Sequence, residues 1–233
     1  MRLFLTTQNL SVRMVRLFLG LALYGLAIAL MVRGNIGLSP WDVFSQGISR
    51  STGLTFGLCT IIISGVVLLF WIPLKQWPGF GTIANAILVG AFADAGLALI
   101  PQANHLPLQI GTFAAGLFLL AFATALYIGA GLGPGPRDGL MTGLVRVTGR
   151  PVWLIRTAIE LSVVVMGFFL GGVVGAGTAA FTFGVGPLTE LTMRWLRVDL
   201  HARRPGATNA TAKNAEANGP MDALKPAQGL CRD

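Results

Sequence analysis

Charge is what this sequence has least of. Lys and Arg number 17 and Asp and Glu nine in 233 residues, so 11% of the chain is charged against 54% hydrophobic. That is too little polar surface to coat a soluble globule of this size, and lipid must serve as part of the solvent. Cysteine is nearly absent as well. Cys59 lies inside an apolar run and Cys231 in a polar terminal stretch, so no disulfide framework is expected. His105 falls alone in a short connecting loop. There is no zinc-ligand cluster, P-loop, GxSxG or HExxH, and the expectation is a protein that is not an enzyme and holds no metal or cofactor. Ten-residue stretches of alternating polarity, the signature of a membrane β-barrel, are also missing.

What is present is a set of helix-length apolar runs, with a mean hydropathy of +0.71. Backbone polar groups cannot stay unpaired in hydrocarbon, so these runs predict an all-α polytopic membrane bundle. The first run, Leu17 to Val32, lies between Arg16 and Arg33. Its basic flank and the Ala27-x-Ala29 pattern also fit a secretory leader, but the repeat described below argues that it is retained. Five more spans are expected at Leu54 to Ile72, Phe80 to Ile100, Leu108 to Ala130, Val152 to Leu170 and Ala176 to Leu196.

The net charge of +8 would suit nucleic acid only if the cations shared a soluble face. They sit at the ends of apolar runs instead, which excludes that partner. With the N-terminus inside, the inner side collects Arg2, Arg13, Arg16, Lys75, Arg137, Arg146, Arg150, Arg194 and Arg197, while Arg33 and Arg50 remain outside. The asymmetry predicts six spans with both termini cytoplasmic. All five tryptophans, at 41, 71, 77, 153 and 195, fall at span ends or in loops, as interfacial anchors do. Four segments follow: a cytoplasmic start at 1–14, a first three-helix unit at 15–100, a second at 108–197, and a disordered cytoplasmic tail at 198–233.

Sliding the chain by 96 residues aligns 34–94 with 130–190 without a gap, at 17 identities in 61 positions. Gly37, Pro40, Asp42, Gly47 and Arg50 fall on Gly133, Pro136, Asp138, Gly143 and Arg146. Gly81 and Thr82 fall on Gly177 and Thr178, and Asp94 meets Glu190. A unit with three spans must be followed by a copy entering from the other side, so the repeats are expected to be inverted, as in many secondary transporters. After the first span of each unit comes a short Gly/Pro-rich half-helix, near 39–50 and 135–146, either re-entrant or interfacial.

The blocks GLSPWD, WIPLKQWPGFGTIAN, GLGPGPRDGLMTGL and IRTAIE resemble the YczE/YyaS/YitT family of bacterial multi-pass membrane proteins, the YczE branch in particular. The resemblance reaches to about residue 197 and implies a bacterial plasma-membrane location. It brings no catalytic or binding residue.

Candidate chemistry therefore rests on the residues themselves. Ser39, Pro40, Asp42, Arg50 and Gly53 can all be read as caps and dipole partners of the half-helix. Against that, Gly135 replaces the Ser cap in the second copy while Asp138 stays, and Arg50 sits where positive charge is disfavoured. Asp42, Arg50, Asp138 and Arg146 thus stand as candidates for binding a substrate or ion. Within spans, a charge costs roughly 2.5 to 3.5 kcal/mol at a helix centre. Arg156 and Glu160 are spaced to pair at i, i+4, as a buried structural pair or as a solute or proton site. Asp94 and Glu190 are the remaining candidates, both near enough to span ends to reach the interface. Gly81-Thr82 and Gly177-Thr178 suit close helix packing. The leading expectation is a permease of a small solute or ion, its site at the repeat interface; the alternative is a non-transporting assembly or regulatory partner of another membrane protein. The lipid bilayer is the one certain partner, with a homo-oligomer or a second membrane protein also compatible.

Overall fold

The computed structural model describes residues 9–196, and these form eight helices with no strand among them. They are α1 (Leu10–Gly34), α2 (Pro40–Thr52), α3 (Phe56–Trp71), α4 (Phe80–Leu99), α5 (Leu106–Ala130), α6 (Pro136–Thr148), α7 (Val152–Phe169) and α8 (Ala176–Trp195). The first eight residues and the expected tail at 198–233 lie outside the described residues.

Each helix of the second half starts 96 residues after its counterpart in the first. Local chemistry sets the short ones. Ser39 caps α2 by accepting from the Asp42 N–H, Pro40 pre-sets the first turn, and Gly53 ends the helix in the left-handed region at φ 75°. In α6 the cap is Gly135, which brings no side chain, and Gly149 closes the helix at φ 65°. The half-helices each hold 13 residues, about 20 Å at the standard rise and too short to cross.

Helix directions follow from which residues touch. Arg13 bonds the carbonyls of Ala130 and Gly131, Gly20 lies against Ala123 and Tyr127, Gly116 against Ala27 and Met31, and Gly34 against Gln109 and Phe113. Partner numbers fall as α1 advances, so α1 and α5 run antiparallel. They rise together for α1 with α4 (Gly25 on Val89, Gly96 on Ala29) and for α5 with α8 (Gly177 on Phe113, Thr192 on Ala121). The first and last long helices of each half therefore run parallel to each other, while α1 opposes α5. Leu17, Leu21, Ile28 and Met31 are fully buried at this central α1–α5 contact.

The half-helices cross over. α2 packs on α7 as well as α3, and α6 on α3 as well as α7. Their lead-in loops dock on the opposite copy: the Gly177 N–H donates to Ile36 O at 2.8 Å, and the Gly81 N–H to Leu132 O at 3.0 Å. Thr178 Oγ1 accepts from the Leu38 N–H, whereas Thr82 Oγ1 donates to Pro134 O because proline has no N–H to give. Gly81, Thr82, Gly177 and Thr178 thus bind lead-in loops rather than merely easing helix contact. Gly37 (φ 134°) and Gly133 (φ 138°) turn these loops where L side chains rarely go, and a Cβ on Gly37 would stand 2.5 Å from the Thr178 nitrogen.

One sequence expectation changes. Trp71 is no interfacial anchor: it is 1% exposed, donates to Pro136 O at 3.1 Å and lies so close that a Cβ on Gly139 would meet its ring at 1.9 Å. Trp77, Trp153 and Trp195 are exposed. Among the described residues, four helices are by themselves long and apolar enough to cross a membrane: α1, α4, α5 and α7. The pair α2 and α3 qualifies only taken together, and it is bent by 117°. α3 has 16 residues, and α8 contains Pro187 and carries Glu190 and Arg194. Phe169 and Phe183 are 81% and 80% exposed, which suits a lipid-facing surface.

Candidate functional site

The N-termini of the two half-helices meet inside the bundle. The guanidinium of Arg137, second residue of α6, lies 3.6 Å from Asp42 Oδ1 of α2 and 5.3 Å over the ring of Trp41. Asp42 is 1% exposed, and its other oxygen accepts from Ser39 Oγ at 2.5 Å. The hydroxyl thus serves twice, accepting from the Asp42 N–H and donating to its carboxylate.

In the second copy the same place is filled differently. Gly135 stands where Ser39 does, and the Tyr127 hydroxyl donates to Asp138 Oδ2 at 3.1 Å. A Cβ on Gly135 would come within 3.3 Å of that hydroxyl, so α5 supplies the donor that the cap lacks. Tyr24 of α1 sets its ring edge-on against Tyr127 with centroids 6.0 Å apart. Asp138 itself is exposed, opening onto internal space, and takes part in no ion pair among the described residues.

That space is two cavities divided by one layer. The larger, about 420 Å³, is bounded by α1, α2, α5, α6, α7 and α8 and includes Arg156, Glu160 and Glu190. The smaller, about 50 Å³, includes Thr60, Ser64 and Asn85. Tyr24, Tyr127, Arg137 and Asp138 line both. Arg156 Nε donates to Glu160 Oε1 at 2.8 Å, the i, i+4 pair expected, with Arg156 half exposed at the mouth.

The other candidates go elsewhere. Arg50 donates to Gly171 O at 2.7 Å, and Arg146 to the carbonyl of Leu74; both fasten the turn that follows the neighbouring copy's middle helix. Asp94 accepts from Thr55 Oγ1 and from the Gly57 N–H, each at 2.6 Å, and so caps α3 from α4. Glu190, its repeat mate, pairs with Arg194 at 2.5 Å at the edge of the large cavity. Asp42, Asp138, Arg156, Glu160 and Glu190 are therefore gathered at or beside one cavity, and Arg50, Arg146 and Asp94 are not. No cluster of three or more His, Cys, Asp or Glu suited to a metal occurs among the described residues.

Arg137, Tyr24 and Tyr127 complete the layer and were missed in the sequence. A signal existed: positions 40 and 42 match their mates at 136 and 138, while the residue between them is Trp in one copy and Arg in the other. Those two unlike residues are the ones that touch.

Residues 11–194 match a family model described as a family of unknown function, DUF6198. The chain belongs to this family. The chain is 36% identical over 174 residues to an uncharacterised protein of Haemophilus influenzae, covering 75% of this chain and 80% of that one. It is 33% identical over 173 residues to the uncharacterised membrane protein YczE of Bacillus subtilis, with 73% and 80% covered, and 26% identical over 164 residues to YyaS of the same organism, with 69% and 82% covered. No solved structure matches. The DUF6198 match spans all eight helices, so the layer between the cavities belongs to the matched region. With several apolar helices and a YczE relative, the chain is a helical membrane protein.

Proposed function

We propose that this protein is a secondary transporter or permease of a small solute carrying positive charge, or of a proton, with its site at the half-helix layer. The observation that carries the reading is Asp138, a carboxylate open to cavities on both sides of one layer and in no ion pair among the described residues, its neighbouring cations Arg137 and Arg156 being paired with Asp42 and Glu160. The neighbouring charges are spoken for: Asp42 with Arg137, Arg156 with Glu160, Glu190 with Arg194. The N-terminus of α6 offers about half a positive charge to Asp138, which leaves a deficit that a cationic group or a proton would fill.

The architecture we propose is six spans in two inverted repeats, α1, α3 and α4 against α5, α7 and α8, with α2 and α6 as half-helices. It is supported by the 96-residue spacing of all element starts and by the opposed run of α1 and α5. Sites between discontinuous helices at a repeat interface are a recurring transporter arrangement. The distribution of Lys and Arg supports a reading with both termini in the cytoplasm, on which the large cavity faces inward.

Thermal-shift screening of purified protein against small amines, amino acids and alkali cations tests the binding step. A compound that raises the melting temperature of the wild type should leave Asp138→Asn unmoved. An equal shift in both proteins would remove Asp138 from the site.

A further inference from the structure

The two cavities are copies of one another. Thr60, Ser64, Asn85 and Val89 of the small cavity fall, at the 96-residue offset, on Arg156, Glu160, Phe181 and Val185 of the large one. Gly135, Pro136 and Arg137 fall on Ser39, Pro40 and Trp41, and Tyr24 on Leu120, so eight of the ten residues of the small cavity have a mate in the large.

Their difference in size traces to one contact. In the first copy α3 lies along α4, with Gly57 against Gly90 so closely that a Cβ on Gly57 would stand 2.1 Å from the Gly90 carbonyl oxygen. Asp94 locks this closure by capping the start of α3 through Thr55 and Gly57. In the second copy α7 and α8 barely touch. A Cβ on Gly186, the mate of Gly90, would meet nothing within 4 Å; Glu190 bonds its own helix, and Trp153, the mate of Gly57, is 67% exposed. One backbone arrangement is thus present shut in the first copy and open in the second.

Resting on the transport reading above, we propose that the small cavity is the second access vestibule for the same solute, latched by Asp94. It opens when α3 leaves α4, while α7 closes on α8 with the Trp153 ring filling the space beside Gly186. The solute then passes from the Arg156/Glu160 side, across the Asp138 layer, to the Thr60/Ser64/Asn85 side. The ligand class is unchanged, but the second vestibule meets it with hydroxyl and amide groups in place of the ion pair.

The test uses full-length protein in sealed proteoliposomes, in a Cys59→Ala, Cys231→Ser background, with a membrane-impermeant maleimide added to either face. Ser64→Cys should be labelled only from the face opposite the one that labels Thr189→Cys in the large cavity. Asn85→Cys should repeat the result should Ser64→Cys fail to fold. Adding Asp94→Ala removes two bonds to a charged acceptor and should raise the Ser64→Cys rate by at least about tenfold while lowering that of Thr189→Cys. Labelling of both vestibules from the same face, no labelling of Ser64→Cys and Asn85→Cys from either face, or rates indifferent to Asp94→Ala would overturn the inference. Solute flux in the same vesicles is read separately: flux with a sealed small cavity sinks this inference alone, and opposite-face labelling without any flux sinks the transport reading.

Discussion

Removing Arg137 should do more damage than removing the carboxylate it faces. Asp42 is 1% exposed, and apart from its bonds with Ser39 its carboxylate has only Arg137 among the described residues, at 3.6 Å. Arg137→Gln strands that buried carboxylate at the layer, and an uncompensated buried charge costs about 3 to 5 kcal/mol. The stacking on Trp41 at 5.3 Å is lost with it, worth about 0.5 to 2 kcal/mol. Asp42→Asn leaves Arg137 instead, and that side chain is 20% exposed to a cavity wide enough for water. Its cost should be smaller, on the order of 1 to 2 kcal/mol, chiefly the altered bond with Ser39. In the double variant both charges are gone, and it should recover at least about 2 kcal/mol relative to Arg137→Gln alone. Arg137→Lys keeps the charge without the planar group and should fall between. The assay is SDS-titrated unfolding of purified protein in mixed micelles, followed by circular dichroism. Equal losses for the two single variants with a strictly additive double variant would refute the argument that this pair is coupled at the layer.

Two further outcomes follow from close contacts between the copies. Gly139→Ala places a Cβ 1.9 Å from the Trp71 ring and should cost about 1 to 3 kcal/mol, a loss that Trp71→Leu in the same chain partly relieves; a double variant no better than the sum in the same unfolding assay would contradict the contact. Gly37→Ala meets both a left-handed backbone at φ 134° and the Thr178 nitrogen at 2.5 Å, so its melting temperature should fall well below that of Gly53→Ala, where φ is 75° but the space is open; equal melting temperatures would count against the docking of the lead-in loop.

The sequence carried the architecture further than the site. A 96-residue self-match located every element of the second half from the first, and the Ser39 cap, the Gly53 and Gly149 stops and the Arg156–Glu160 pair are all local, set within four residues of chain. The layer is not local. Asp42 with Arg137 and Trp71 with Pro136 join the copies across 95 and 65 positions, and no periodicity announces such contacts. Asp94 and Glu190 look equivalent in the alignment, yet one caps a neighbouring helix and the other pairs along its own, because α3 meets α4 where α7 leaves α8. Trp71 sits at a helix end and so reads as an anchor, while the glycine that admits it, Gly139, lies on another helix of the other copy. In each case a shape made by two distant segments decided the role, and composition could not hold that information.

The central claim is that something crosses the Asp138 layer. Proteoliposomes loaded with a pH-sensitive dye and exposed to the amines, amino acids and cations of the binding screen measure this directly. The account predicts solute-dependent proton or charge movement in the wild type that Asp138→Asn abolishes while its fold, read by circular dichroism, persists. No movement with any solute, together with a membrane protein that co-purifies in stable proportion, would contradict it in favour of an assembly or regulatory role.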